Sequence, residues 1–243
     1  MDINKTKCRI LFISFCFLAC CILISGQTKE LPPWEKGFMD IHHISTGRGN
    51  STFLVFPNGT SMVIDCGDMS ETQPRVLSER NTPIVPDNSK TPAQWVADYI
   101  YQFHPKGRKA TIDYVLITHF HDDHFGQTDS LKKVHKEGKY ILTGITELGS
   151  IIPVKKIIDR GYDFPVDFKD TEIQQKLLLK GDPYSMVETL QAYWKFIDFQ
   201  AERQGLVYEQ FKVGSSDQFR LISYPEQYPC FMIKNLFANG EVI

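Results

Sequence analysis

The feature that most constrains this chain is a short apolar run followed at once by histidines and aspartates. Residues 112–118 read Ile-Asp-Tyr-Val-Leu-Ile-Thr, a nearly continuous apolar stretch that is typical of a strand buried on both faces. The next six residues contain three histidines and two aspartates, in the order His119-x-His121-x-Asp123-His124. The sequence therefore predicts an α/β fold in which a cluster of reactive side chains follows a central strand.

The spacing of this motif suits metal binding. Side chains at positions i and i+2 of an extended segment point the same way, so His119 and His121 can address one ion. Asp123 and His124, which follow after the chain turns, can address a second ion beside it. Imidazole and carboxylate are ligands that zinc prefers in catalytic sites, and manganese and iron accept the same mixture. A solvated or hydrogen-bonded role would explain one histidine, whereas this density of histidines indicates a metal site.

Such a site supports hydrolysis. A bound divalent cation lowers the pKa of water from 15.7 to about 7, which provides hydroxide near neutral pH. Two ions roughly 3.5–4 Å apart can also hold a carbonyl or phosphoryl oxygen and stabilise the leaving group. The motif therefore predicts a metal-dependent hydrolase that acts on an ester, amide or phosphodiester bond, with a small molecule or a phosphodiester as its substrate.

The segment before the motif predicts a small sheet, an insertion and one helix. Strands are expected at residues 39–44, 51–56 and 61–65, where apolar residues are bounded by Gly, Asn and Pro. Prolines scattered through residues 69–92 exclude a helix or a central strand and predict a surface insertion. Thr91 as N-cap and Pro92 in the first turn then begin a helix that extends to residue 104.

The segment after the motif predicts three strands and one long helix. The strands are expected at residues 155–159, 206–213 and 231–237. The helix is expected at residues 183–203, capped by Asp182 and closed by Gly205.

One family has a similar arrangement. The stretch Thr118-His119-Phe120-His121-Asp122-Asp123-His124-Phe125-Gly126 resembles the signature of the metallo-β-lactamase superfamily. Asp65, in Ile64-Asp65-Cys66-Gly67, lies where that family places an earlier aspartate. Residues 41–67, with Thr46-Gly47-Arg48-Gly49-Asn50-Ser51 between two strands, are similar to the hydrolase domain of competence-type DNA-uptake proteins. The likeness covers about residues 38–126.

The resemblance implies roles for individual residues. His119 and His121 correspond to ligands of a first metal ion, and Asp123 and His124 to ligands of a second. Asp123 is also the expected catalytic residue, and Asp65 is a structural residue that shapes the metal loops. The implied fold is an αββα sandwich, and the implied cofactor is a pair of zinc ions, with manganese or iron as alternatives.

The downstream part of the chain departs from the family pattern. The family completes its site with further ligands, usually a histidine, a bridging aspartate and a last histidine. This sequence has no histidine after His135, and Gly181-Asp182 precedes Pro183 and is better explained as a helix cap. We therefore expect only the N-terminal half to two-thirds of the sandwich, either as a C-terminally truncated copy or with a partner chain supplying the rest. The alternative is an inactive fragment or a non-catalytic interaction module.

The N-terminus predicts export. Lys5, Lys7 and Arg9 precede an apolar run at residues 10–24, which is followed by Ser25 and Gly26, and this layout is typical of a secretory signal. The run is shorter than the roughly 20 residues that span a bilayer, which disfavours a transmembrane anchor. We expect residues 1–26 to be a signal peptide and 27–243 the metallo-β-lactamase-like domain, in a periplasmic or secreted protein. Lipid attachment at Cys20 ranks lower.

Charge and cysteines add weaker constraints. Without residues 1–26, the chain carries 24 basic and 28 acidic residues and no basic stripe, which disfavours general nucleic-acid binding. Cys66 and Cys230 form either a disulfide or two unpaired thiols. The oligomeric state is not predicted.

The other histidines are given structural roles. His42 and His43 are neighbours on a predicted strand, so their side chains point to opposite faces. His104 ends the predicted helix, where a cation would be favourable. His135 lies in a charged segment that predicts an exposed helix, so it is not assigned to the metal.

Overall fold

A mixed six-stranded sheet is the framework of the molecule. The computed structural model describes residues 31–163, 165–182 and 184–242, and the predicted signal lies outside these residues. The strands are β1 (Asp40–Ser45), β2 (Asn50–Val55), β3 (Ser61–Ile64), β4 (Ile112–Ile117), β5 (Val154–Asp159) and β6 (Val207–Gln210), and they are arranged in that order. β1 to β3 are antiparallel neighbours, whereas β3 to β6 run parallel. β4, which leads into the motif, therefore lies inside the sheet.

Five α-helices and a short hairpin complete the described fold. The helices are α1 (Pro92–Phe103), α2 (Asp122–Phe125), α3 (Gly144–Ile151), α4 (Thr171–Leu179) and α5 (Met186–Gln204), and the hairpin consists of β7 (Phe237–Ala238) and β8 (Glu241–Val242). Single 3-10 turns occur at Gly107–Lys109 and Pro225–Gln227. Within the described part of the chain, no helix has the length and apolar character needed to cross a bilayer. The predicted α/β class is confirmed.

The two faces of the sheet are covered differently. On one face, Val115 and Ile157 belong to a large buried cluster that includes residues of α1, α3 and α5. On the other face, Tyr114 and Ile158 pack with Phe219, which lies in an irregular segment at residues 211–236. Neighbouring residues of a strand point to opposite faces, so the apolar run of β4 contributes to both cores.

Tyr114 attaches the irregular segment to the sheet. Its hydroxyl donates a hydrogen bond to the Arg220 carbonyl at 3.0 Å and accepts one from the Arg220 amide at 3.1 Å. A second hydrogen bond runs from the Ile222 amide to the Thr60 hydroxyl at 2.8 Å. Hydrogen bonds and apolar packing thus hold this face of the sheet without a further strand over residues 211–236.

Both predicted helices are present, but the second begins at Met186 and not at residue 183. Thr91 and Gln94 form a reciprocal capping box at the start of α1, which satisfies two amide groups at the helix end. The carboxylate of Asp182 accepts hydrogen bonds from the Met186 and Val187 amides at 2.8 and 2.9 Å. Gly205 closes α5 in the left-handed region, with φ of 71°, where glycine has no Cβ penalty.

Two predicted elements are wrong. Residues 231–236 are not a strand, because Asn235 bonds its backbone to Gly214 and Ser215 and its side chain to Lys212 and Gln218. His135 lies in a turn and not in an exposed helix. Its ring stacks on Tyr140 with centroids 4.7 Å apart, and its Nδ1 accepts a hydrogen bond from the Gly138 amide.

Of the two histidines on β1, His42 has a packing role and His43 does not. His42 lies between Phe53 and Phe103, with ring centroids 5.6 and 5.1 Å away, and its Nδ1 is 3.2 Å from the Tyr99 hydroxyl. His43 points outward and is exposed. Their neighbouring positions on β1 explain why one is packed and the other is not.

His104 caps α1 as expected, but its charge is not the reason. The side chain is buried, and its Nδ1 accepts a hydrogen bond from the Lys106 amide at 3.0 Å. Burial lowers the pKa of His104, and this effect outweighs the attraction of Asp113. The predicted interaction of a cation with the helix end is therefore replaced by a neutral imidazole that accepts a hydrogen bond.

This burial predicts a loss of stability on mild acidification. In the folded state, burial lowers the pKa of His104 below its ordinary value of about 6.5. The neutral His104 side chain therefore contributes fully to stability above that pH, and this contribution decreases as the pH falls through it. The slope from one such group is at most about 1.4 kcal/mol per pH unit. Urea unfolding of a His104→Asn variant between pH 5 and 7 is expected to give a flatter profile than the original protein. His43→Asn, at an exposed position, should leave the profile unchanged, and equal slopes for all three proteins would contradict the interpretation.

The two described cysteines are not joined. Cys66 is buried and Cys230 is exposed, and both are free. Burial, followed by the nearby carboxylates of Asp68 and Glu147, raises the pKa of the Cys66 thiol well above its ordinary range. Of the two alternatives for these cysteines, the structure has the unpaired thiols.

Candidate metal centre

The motif occupies the loop between β4 and α2. His119 follows the strand by two residues, His121 is the N-cap residue of α2, and Asp123 and His124 lie within that short helix. The first two imidazoles therefore come from extended chain and the last two side chains from a helical turn. This is the change of direction that the spacing predicts.

Asp65 connects the motif to the neighbouring strand. It directly follows β3, which is the parallel neighbour of β4, so the carboxyl ends of both strands meet at one edge. The Asp65 carboxylate accepts hydrogen bonds from the Thr118 amide at 2.8 Å and from the Thr118 hydroxyl at 2.7 Å. Its backbone has a positive φ of 60°, which is uncommon for a residue with a side chain. Asp65 therefore joins the end of β3 to the start of the motif.

The same carboxylate orients His124. The Nδ1 atom of His124 is 2.7 Å from the Asp65 Oδ2 atom, a contact in which Nδ1–H donates. The other ring nitrogen, Nε2, then remains as the one suited to bind a metal ion. A carboxylate that fixes the tautomer of a ligating histidine is a recurrent arrangement in metal sites.

The predicted donors lie together. The Nε2 atom of His119 is 3.0 Å from the Nδ1 atom of His121, and the rings of His119 and His124 have centroids 3.9 Å apart. The Nε2 atom of His124 is 3.6 Å from a carboxylate oxygen of Asp123. All five residues proposed from the sequence, Asp65 included, thus form one continuous cluster.

The surroundings favour a neutral imidazole at His119. Burial lowers the pKa of His119 below its usual value, and the neighbouring His124 and His121 lower it further, against the opposing effect of Asp65. A neutral imidazole is the form that binds metal ions. Burial, together with the neighbouring histidines, therefore favours the form of His119 that can bind a cation.

The chemistry of the donors fits a divalent cation, although their present arrangement does not surround one. Within residues 31–163, 165–182 and 184–242, no three His, Cys, Asp or Glu side chains form a group that could hold an ion as they stand. His119 and His121 are hydrogen-bonded to each other, and an ion bound by both would replace that bond. The set of three imidazoles and one partly exposed carboxylate is nevertheless one that zinc sites use.

Two glycines allow the surrounding loops to approach the motif. A Cβ atom on Gly67 would lie 2.0 Å from the Asp123 carbonyl oxygen, and one on Gly49 would lie 2.9 Å from the same oxygen. Hydrogen bonds from the Cys66 amide to the His124 carbonyl and from the Asp68 amide to the Asp122 carbonyl close this contact. The glycines near the motif are therefore required by close backbone approach.

Gly67→Ala is expected to displace the motif. Because the added methyl group would meet a backbone carbonyl, the loop must shift, and a destabilisation of roughly 3 kcal/mol is expected. Metal content should fall as well, since Asp123 and His124 would move. Gly214→Ala is the control, because its φ of 83° is strained but a Cβ there meets open space, so we expect only about 1 kcal/mol. Equal urea midpoints and metal contents for the two variants would contradict the role of Gly67.

Two cavities open on either side of the histidines. The first, of about 330 Å³, is lined by motif residues and by the insertion and α5: Met69, Arg75, Phe120, His121, Asp122, Asp123, Phe125, Gly126, Tyr184, Met186 and Thr189. The second, of about 410 Å³, is mainly apolar and is lined by Leu116, Ile117, Thr118, His119, Arg160, Phe211, Phe237, Ala238 and Asn239. Because His121 lines the first and His119 the second, both cavities reach the hydrogen-bonded imidazole pair.

The predicted insertion supplies a residue that sequence reasoning missed. Residues 69–91 contain no helix or strand, as expected, but Arg75 reaches back and forms an ion pair with Asp122 of the motif. Its guanidinium carbon lies 5.1 Å from the centre of the Tyr184 ring. Arg75 is far from Asp122 and Tyr184 in sequence and belongs to no local motif, so no local signal could have found it.

Comparison with known proteins gives one family. The model of the metallo-beta-lactamase superfamily matches residues 45–184, which is more than half of the chain and includes both Asp65 and the complete motif. No curated protein and no solved structure gave a significant match.

Proposed function

This chain belongs to the metallo-beta-lactamase superfamily, and we propose that it is a metal-dependent hydrolase acting on an ester, amide or phosphodiester bond. The observation that carries the proposal is the contact of Asp65 with His124, beside the clustered imidazoles of His119 and His121. That contact places the ring proton of His124 on Nδ1 and leaves Nε2 able to bind an ion.

Each motif residue has a proposed role. His119 and His121 would hold a first ion, and Asp123 and His124 a second, with zinc as the first choice and manganese or iron as alternatives. When bound, such ions polarise the scissile carbonyl or phosphoryl group and make water a stronger nucleophile near neutral pH. The family match supports metal-dependent hydrolysis in general and leaves the identity of the ion to experiment.

Asp123 is the proposed catalytic residue. Its side chain is about 39% exposed and lines the 330 Å³ cavity, where a substrate can reach it. A carboxylate in this position can accept a proton from the attacking water and hold that water by a hydrogen bond. Asp65 has a different role, since it acts through His124 and Thr118 and does not line this cavity.

Three finer assignments are also proposals. The loop Thr46-Gly47-Arg48-Gly49-Asn50-Ser51 supports a relationship with competence-type DNA-uptake hydrolases. The basic and apolar residues 1–26 support export of the domain at 27–243. We further propose that a complete site needs ligands in addition to the four of the motif, from a continuation of the chain or from a partner. Sequencing the coding DNA beyond Ile243 tests for a continuation that contains a late Gly-Asp pair and a histidine.

Metal analysis and a substrate panel test the proposed function. Elemental analysis of the purified protein is expected to give stoichiometric zinc, manganese or iron. Assays with phosphodiester, lactone and β-lactam substrates are expected to find at least one that is hydrolysed and whose turnover stops with a chelator. Absence of stoichiometric metal together with no turnover of any substrate would reject the proposal.

A second candidate is a non-catalytic interaction module that retains the fold. The observation in its favour is the His119–His121 hydrogen bond, which pairs two ligand nitrogens with each other. This candidate predicts a folded protein that binds no stoichiometric metal, so the same elemental analysis separates the two functions.

A further inference from the structure

We propose that Arg75 is a specificity-determining residue that recognises an anionic group, such as a carboxylate, on an aromatic or aliphatic substrate. This inference rests on the proposed hydrolytic function, because it assigns a substrate class to the same site. Arg75 lies in the insertion at residues 69–91 and lines the 330 Å³ cavity together with His121 and Asp123. A group bound at Arg75 would therefore share one cavity with the proposed catalytic residue.

Arg75 is held in place from two sides. Its Nη2 atom pairs with a carboxylate oxygen of Asp122, and its guanidinium stands over the Tyr184 ring at 5.1 Å. The Asp122 side chain is about 10% exposed, whereas that of Arg75 is about 45% exposed. Arg75 is thus fixed at its inner edge and accessible at its outer edge, which lowers the entropic cost of binding a ligand.

The guanidinium can serve both Asp122 and a ligand. An arginine carries five N–H donors in a planar fork that matches the two oxygens of a carboxylate or phosphate. The ion pair with Asp122 engages Nη2, so the side chain has donors beyond those of that pair. A lysine would bring only a point charge and would not stack on Tyr184 in the same way.

The remainder of the cavity is suited to the apolar part of the same ligand. Phe120, Phe125, Met186 and the half-exposed Tyr184 all line the cavity. A ring or short alkyl chain could pack on these side chains while its anionic group meets Arg75. Benzoate combines both properties, and benzamide is its uncharged isostere.

The competing explanation is that Arg75 only ties the insertion to α2. On that explanation, the cavity would not favour a charged ligand, and replacing Arg75 would weaken the binding of charged and uncharged ligands equally. The chain offers a matched control in Arg108, an exposed arginine that lies over the Tyr101 ring at 5.3 Å. Tyr101 does not line either of the cavities beside the motif.

Calorimetric titration of the full chain, with its metal content measured, tests the proposal. Benzoate is expected to bind the original protein at least about tenfold more tightly than benzamide, as for a charge-assisted hydrogen bond. Arg75→Gln should remove this preference, Arg75→Lys should retain only part of it, and Arg108→Gln should retain all of it. Circular dichroism establishes that each variant is folded.

Two results would overturn the proposal. One is an original protein that binds benzoate and benzamide equally, and the other is a benzoate preference that survives in folded Arg75→Gln, which would place the anion on a metal ion. If Arg75→Gln does not fold, nuclear Overhauser effects between benzoate and the Tyr184 ring of the original protein decide the question, since their absence contradicts the site. Hydrolysis is not needed for these measurements, so a protein with the benzoate preference but with neither stoichiometric metal nor turnover would refute only the proposed function.

Discussion

Replacing His119 and His121 together by alanine is expected to abolish stoichiometric metal binding and to lower hydrolysis by at least about 10³-fold. The expected loss of rate follows from the several kcal/mol of transition-state stabilisation that a bound cation contributes, since each 1.36 kcal/mol changes a rate tenfold. The two side chains are in direct contact, with ring nitrogens 3.0 Å apart. Removing His121 alone would leave His119 beside His124, so the double variant is the decisive one. Elemental analysis and initial rates on the best substrate of the panel measure the effect.

The control for this experiment is another histidine. His43→Ala removes an exposed imidazole on β1 that contacts only the Thr52 hydroxyl among the described hydrogen bonds. Metal content and rate should remain as in the original protein. Retention of stoichiometric metal by the double variant would remove His119 and His121 from the site.

Asp65→Ala is expected to destabilise the fold by roughly 3 kcal/mol, because it removes one partner of a buried, charged hydrogen-bond network. Asp65 is buried and accepts the Thr118 amide, the Thr118 hydroxyl and Nδ1 of His124 within 2.7–2.8 Å. Without the Asp65 carboxylate, Thr118 at the end of β4 and His124 in the motif would lose the hydrogen-bond acceptor that they share. The urea midpoint measures the change in stability. Elemental analysis measures how much bound metal is lost when Asp65 no longer orients His124.

Two further variants separate the causes. Asp217→Ala removes an exposed carboxylate paired with Arg220, and such surface pairs contribute about 0–1 kcal/mol. Asp65→Asn keeps an oxygen for the Thr118 amide but cannot accept from His124 through its amide nitrogen. It should therefore fold better than Asp65→Ala and still bind metal weakly. Full metal binding by Asp65→Asn would reject the orienting role of Asp65.

The strands could be predicted because their signals are local. β4 is a nearly continuous apolar run, and the three earlier strands lie between turns rich in glycine and asparagine. The predicted bounds of these four strands are therefore correct to within a residue or two. α1 was equally clear, since Thr91 and Pro92 begin it with side chains that have few other roles. In these segments, the local preferences and the final packing agree.

One helix that the sequence did not predict, α3, depends on tertiary contacts. α3 begins and continues with glycines, Gly144 and Gly149, which disfavour a helix on their own. It forms because its buried residues, among them Ile145 and Leu148, join the core beneath the sheet. Residues 231–236 illustrate the opposite case, since an apolar sequence suggested a strand but Met232 and Leu236 remain more than half exposed.

The residues of the candidate site also divide into those that the sequence predicts and those that it does not. The four proposed donors lie within six residues and could be proposed from spacing alone, whereas Asp65 required the family resemblance. Arg75 could not be predicted, because it meets the motif only through an insertion without regular structure. Contacts across such distances carry no periodic signal.

The parallel pairing of β3 with β4 has a consequence for how the protein folds. Asp65 and His124 are 59 residues apart in sequence, so their contact requires closure of a long loop, which slows folding. A metal ion that needs His124 in its fixed tautomer would therefore be captured only after the two strands have paired. In a refolding experiment, metal uptake should follow the recovery of sheet structure, and the kinetics of uptake would report on the central strands of the molecule.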